Sequence, residues 1–160
     1  MYAKKTLSAL VLMCLISACQ GRDEQAPSVI KPTISHQSKK EKTIVVPPEV
    51  SRSWRALKIA VIDKASATEN IYTIPIGASS RIPKSNLTIA IEAFLPSFVM
   101  VGSTVTSSSN ELKNPGVKLR ISENGSIIFS GWVFSNFPST HAFMHPKFGL
   151  ALVGAVPATK

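Results

Sequence analysis

Apolar and polar residues alternate with a period of two along most of the chain beyond Ser53. Leu57, Ile59 and Val61 alternate with Lys58 and Ala60, and the run ends at Asp63-Lys64. Tyr72, Ile74 and Ile76 form a second, shorter run. Leu87, Ile89, Ile91, Ala93 and Leu95 form a third, Val117, Leu119 and Ile121 a fourth, and Ile127, Phe129, Gly131 and Val133 a fifth. Phe148 to Val153 closes the set. This alternation marks strands with one face on a core and the other in water. Asn124-Gly125 sits between the fourth and fifth runs, and its two residues suit the positive φ angles of a type I′ hairpin turn. Gly77 to Pro83 and Gly102 to Gly116 read as the other breaks. No helical period of useful length is present. The pattern predicts an all-β domain over residues 50–160, a single small β-sandwich or β-barrel of six to seven mainly antiparallel strands.

The chain before this domain reads differently. Lys4 and Lys5 precede an apolar run that ends at Leu15-Ile16-Ser17-Ala18-Cys19. A positive start, an apolar middle and small residues at the end make a signal peptide, and small residues just before a cysteine resemble the lipobox of a bacterial lipoprotein. Residues 1–18 are then removed after Ala18, and Cys19 carries lipid. The run is shorter than the roughly 20 residues a membrane-spanning helix needs, so lipid is the expected anchor. Two or more acyl chains hold a protein stably on a membrane. Gln20 rather than Asp follows Cys19, which by analogy with lipoprotein sorting favours an outer membrane and a domain facing the periplasm. Residues 19–49 read as the lipidated start and a flexible tether, interrupted by Pro27, Pro32, Pro47 and Pro48. Such composition buries too little apolar surface to offset ordering entropy. Thr43 to Val46 is the exception, a short apolar run that fits an edge strand stopped by the two prolines.

Charge and cysteine content narrow the chemistry. The formal net charge is +9 and falls to +7 without Lys4 and Lys5; the tether is near balance, so the excess lies in the domain. A basic envelope domain attracts anionic headgroups, phosphates and carboxylates. No nucleic-acid-binding motif is present. Cys14 and Cys19 are the only cysteines, which leaves the domain no disulfide, thiolate metal site or cysteine nucleophile.

Phe129-Ser130-Gly131-Trp132-Val133-Phe134-Ser135-Asn136-Phe137-Pro138, then Ala142, His145-Pro146 and Phe148, carry a resemblance. The chain resembles domain-of-unknown-function family 2155, uncharacterised bacterial envelope proteins with an FSGWxF…HP signature. Ile62-Asp63-Lys64 and Ile76-Gly77 match upstream positions, so the likeness spans Leu57 to Val153. It implies an envelope location and this fold, and no activity. Family members end their domain with a cysteine and carry another upstream; this chain has neither. Met144 and Phe148 stand where the family has Glu and Tyr, so no role built on that glutamate carries over.

Candidate chemistry was weighed residue by residue. His141 and His145 have the four-residue spacing of helical metal ligands, but Pro146 holds His145 extended, and a third ligand would have to be His36 in the tether. Metal and cofactors are therefore not expected. Ser28 and Lys31 have Ser-Lys spacing, also in the tether, and no G-x-S-x-G elbow exists. A Ser–His–acid set would need His141 or His145 with Asp63, Glu69, Glu92, Glu111 or Glu123. Asn86-Leu87-Thr88 and Asn124-Gly125-Ser126 match a glycosylation pattern by chance. The stronger lead is the aromatic and basic last third: Trp132, Phe137, His141, Phe143, His145 and Lys147 are the candidate ligand- or partner-binding residues. Trp132 is weighed toward the core, whereas Phe143 and Lys147, between strands, are expected at the surface. The expected function is a non-enzymatic binding or accessory module of the bacterial cell envelope. It would be held at the membrane by the lipid on Cys19 and would contact an envelope protein or an anionic envelope polymer. The alternatives are a small hydrolase with a histidine base and a purely structural spacer.

Overall fold

The computed structural model describes residues 42–159; Ala18 and Cys19, and with them the expected signal and anchor, lie outside the described residues. The alternating runs form the long strands of two sheets. One sheet pairs β2 (Trp54–Asp63) with β3 (Thr68–Pro75) on one side and β10 (Phe148–Pro157) on the other, all antiparallel. The second has the order β4 (Ser79–Arg81), β5 (Leu87–Leu95), β8 (Gly116–Glu123) and β9 (Ser126–Phe134). Odd-numbered residues of β2 and β5 point the same way from each strand, and they meet in one core. Leu57, Ile59, Val61, Ile74 and Leu152 come from the first sheet, Ile89, Ile91, Leu119, Ile121 and Val133 from the second, and all are buried. The fold is all-β and sandwich-like, with no closed barrel, so the barrel alternative is set aside.

A third, smaller sheet sits on this sandwich. β6 (Phe98–Val101) and β7 (Thr104–Ser107) form a hairpin, and β1 (Thr43–Ile44) pairs with β7 in parallel. Phe98 places it: its ring meets the edges of Trp132 and Phe134, both at a centroid distance of 4.9 Å. The ring passes over Gly116, where a Cβ would lie 2.9 Å from Phe134 Cε1 and 3.2 Å from Phe98 Cδ2. Gly116→Val forces both rings aside and lowers stability by about 1–3 kcal/mol, read from the urea midpoint of unfolding.

Among the described residues the strands number ten, not six to seven. The three that the pattern missed, β4, β6 and β7, have three or four residues each, too few for a period of two to stand out. Two of them lie in stretches read as breaks. β7 is made of Thr-Val-Thr-Ser inside Gly102–Gly116, and only Val105 of its side chains is strongly apolar. The Asn124-Gly125 hairpin forms as expected, with φ of +50° and +87° and Glu123 opposite Ser126.

The hydrogen-bonded fold also begins before residue 50. β1 ends at Ile44, although Val45 N still donates to Val105 O at 2.9 Å. Pro48 then opens the short helix α1 (Pro48–Ser53) at a position where no intrahelical N–H is needed. Val50 is buried and pins it. The seven residues from Thr43 to Glu49 therefore belong to the folded part and not to the tether. Among the described residues no helix is long and apolar enough to cross a membrane.

Candidate functional site

The aromatic third does not form one face. Trp132 is half-buried and lies in the Phe98–Phe134 cluster, stacked on Phe134 at 6.5 Å. Phe137 is 56% exposed. His141 is exposed and held at φ +55°, and it takes no part in the second cluster. Phe143, expected at the surface, is 6% exposed. It meets the edge of Phe129 at 5.7 Å and stacks on His145 at 5.5 Å, and His145 stacks in turn on Phe148 at 5.4 Å. The segment between β9 and β10 folds back and inserts Phe143 between strands as a plug. Spacing along the chain could not show this, because the plug carries no period.

His145 is the keystone of that plug. Its Nδ1 accepts N–H bonds from Lys147 at 3.2 Å and Phe148 at 3.1 Å. Pro146 makes this possible, because it keeps His145 extended and lets the ring turn back on its own chain. Nε2 faces Glu123 Oε1 at 3.5 Å. The His145 carbonyl accepts from Lys64 Nζ at 2.8 Å. Because Nδ1 already accepts two N–H bonds, its lone pair is not free to take a proton from a nucleophile, as a catalytic base must. Among the described residues no three His, Cys, Asp or Glu side chains gather as metal ligands; His36, Ser28 and Lys31 lie outside the described residues.

Lys147 leads to the site that sequence reasoning missed. Its backbone is held on both sides, donating to His145 and accepting from Lys64 N at 2.9 Å. Its side chain borders a groove at the open side of the sandwich, between β3 and the turn that follows the short β4. The groove is two adjoining clefts of about 520 and 470 Å³ that share Ile82, Pro83, Lys84, Ser85 and Phe148. Thr68, Asn70 and Tyr72, alternate residues of β3, face into the first cleft. Arg81, Asn86, Glu123 and Lys147 line the second. The groove exists because β4 stops after three residues. The chain then closes a tight turn, with Ile82 N donating to Leu87 O at 2.9 Å and Ser85 Oγ donating to Ile82 O at 2.9 Å. Lys84 is at the apex with φ +59°, a left-handed conformation that costs a residue with a Cβ roughly 1–2 kcal/mol. Glycine or asparagine would sit there at less cost.

No family model matches the chain, no curated protein matches it, and no solved structure matches its fold.

Its charges are unequally engaged. Asp63 Oδ1 accepts the N–H groups of Ala65 and Ser66, at 2.9 and 3.3 Å, and so holds the β2–β3 turn. Glu123 faces His145. The two acids of the groove thus have partners. Arg81, Lys84 and Lys147 form no ion pair among the described residues. Three cations, Arg81 and Lys84 around one turn and Lys147 before β10, outnumber the two acids Asp63 and Glu123 around one concave surface. A further hollow of about 380 Å³, lined by Val46, Val50, Trp54, Ile76 and Phe94, has one cation, Arg55, and one acid, Glu92, which pairs with Arg120 at 3.5 Å. Tyr72, Arg81 and Lys84 escaped sequence reasoning because they match no motif and only the fold brings Lys147 beside them. The one local signal was the Pro83-Lys84-Ser85-Asn86 turn.

Proposed function

We propose that this chain is a membrane-tethered, non-enzymatic binding module of the bacterial cell envelope, and that its groove binds an anionic envelope polymer. The observation that carries the reading is the set of unpaired cations Arg81, Lys84 and Lys147, which outnumber the acids Asp63 and Glu123 around one cleft. A concave site with fixed like charges concentrates ligands of the opposite sign. The anchor in this proposal is lipid on Cys19 after cleavage behind Ala18, with the outer membrane as the attachment side and the periplasm as the working space. Membership of domain-of-unknown-function family 2155 is part of the same proposal and rests on the FSGWxF stretch and His145-Pro146. The occupied Nδ1 of His145 favours binding over hydrolysis.

The test is co-sedimentation of the full chain with purified envelope fragments at rising salt. Binding weakens as salt screens the groove, and Lys84→Glu with Lys147→Glu lowers the bound fraction about tenfold. Unchanged binding by the double variant contradicts the groove as the contact surface. The anchor is tested separately by palmitate labelling, which Cys19→Ala abolishes; a Cys19→Ala chain that keeps the label contradicts it.

A further inference from the structure

The groove's side chains say more than that its ligand is an anion. Two of its three unpaired cations are lysines. Lysine and arginine both bind phosphate, lysine as a point charge and arginine through its flat fork, so charge number and not cation type favours phosphate here. A phosphate monoester carries close to two negative charges at neutral pH, which suits several cations converging on one cleft. The first cleft has another chemistry. Ser66, Thr68, Asn70 and Ser85 supply hydroxyl and amide groups, with the Tyr72 and Phe148 rings beside them. Hydroxyls, an amide and aromatic faces together match a sugar ring, which has polar edges and apolar C–H faces. An acidic peptide fits less well, because it supplies carboxylates but no ring to lie against Tyr72 and Phe148.

Lys84 sits at φ +59° at the turn apex, which places its side chain at the border the two clefts share.

We propose that the groove binds a phosphorylated sugar, with the ring against Tyr72 and Phe148 and the phosphate between Lys84 and Lys147. This rests on the groove being an anion-binding site, as argued above. The phosphate belongs to a glycan or to a sugar-containing lipid headgroup; the recognising chemistry is the same.

The experiment is calorimetric titration of the full chain in detergent with five probes. They are a disaccharide phosphate monoester, the same disaccharide unphosphorylated, the same disaccharide with a carboxylate in place of the phosphate, inorganic phosphate, and polyglutamate. The phosphorylated disaccharide binds at least about tenfold more tightly than each of the others, and added salt weakens it. Adding an acyl chain to the phosphorylated probe leaves its affinity unchanged if the source is a glycan and strengthens it if the source is a lipid; both support the site. Lys147→Gln and Lys84→Gly each weaken it several-fold. Lys84→Gly also removes the left-handed strain, so the protein melts at the same or a higher temperature and loss of binding is not loss of fold. Tyr72→Leu weakens the phosphorylated disaccharide and leaves inorganic phosphate unchanged. Lys58→Gln, on the other face of the first sheet, changes nothing. Equal or tighter binding of the carboxylate disaccharide or of polyglutamate, lost in Lys84→Gly, overturns the phosphorylated sugar and keeps the anion site. Binding indifferent to both lysines, or no binding by any probe, overturns the anion site as well.

Discussion

Phe143→Ala lowers the stability of the domain by about 3–5 kcal/mol, the usual cost of deleting a buried phenylalanine. The ring is almost wholly buried, lies against Phe129 and carries His145 on its face. Its loss leaves a void at the point where the segment between β9 and β10 enters the core, and that segment has no regular structure to hold it closed. Total stabilities of such domains are about 5–15 kcal/mol, so the variant lies near unfolding at physiological temperature. Chemical denaturation with fluorescence detection measures it. A surface binding residue behaves oppositely: its truncation shifts stability by less than about 0.5 kcal/mol and weakens a ligand. A stable Phe143→Ala protein would place the ring outside the core.

His145→Ala costs about 2–3 kcal/mol. It removes two hydrogen bonds, one exposed and one part-buried, at about 0.5–1.5 kcal/mol each, and a ring stacked between two aromatics. His145→Asn puts an amide oxygen at the reach of Nδ1, so it restores the two hydrogen bonds but not the stacking, and it recovers about half of the loss. Hydrogen exchange at the Lys147 and Phe148 amides reports the same order, with protection in wild type, partial protection in His145→Asn and little in His145→Ala. A histidine serving as a catalytic base would instead leave stability unchanged in all three. Because Lys147 and Phe148 both border the groove, His145→Ala also weakens ligand binding, and His145→Asn does so less.

The strands that form the core were legible because each is long enough to show its alternation and each packs only one face. β5 and β8 show it most plainly: Leu87, Ile89 and Ile91 and then Leu119 and Ile121 are fully or almost fully buried. β4, β6 and β7 were not legible, since three or four residues offer too little pattern and β7 is mostly Ser and Thr. The Phe143 plug was not legible for a different reason. Its burial depends on a chain reversal through His145 and Pro146 that no repeat announces. Aromatic content in the last third pointed to importance without separating the two clusters that Trp132 and His145 join. The groove was the least legible feature. It is assembled from β3, the turn after β4 and the residues before β10, and only the third of these was singled out, through Lys147.

The most direct test of the groove is an amide NMR map of the full chain titrated with phosphorylated envelope glycan fragments. The account predicts the largest shifts at Thr68–Tyr72, Ile82–Asn86 and Lys147–Phe148. Largest shifts at Trp132, Phe137 and Phe98, with the groove amides unmoved, would contradict it.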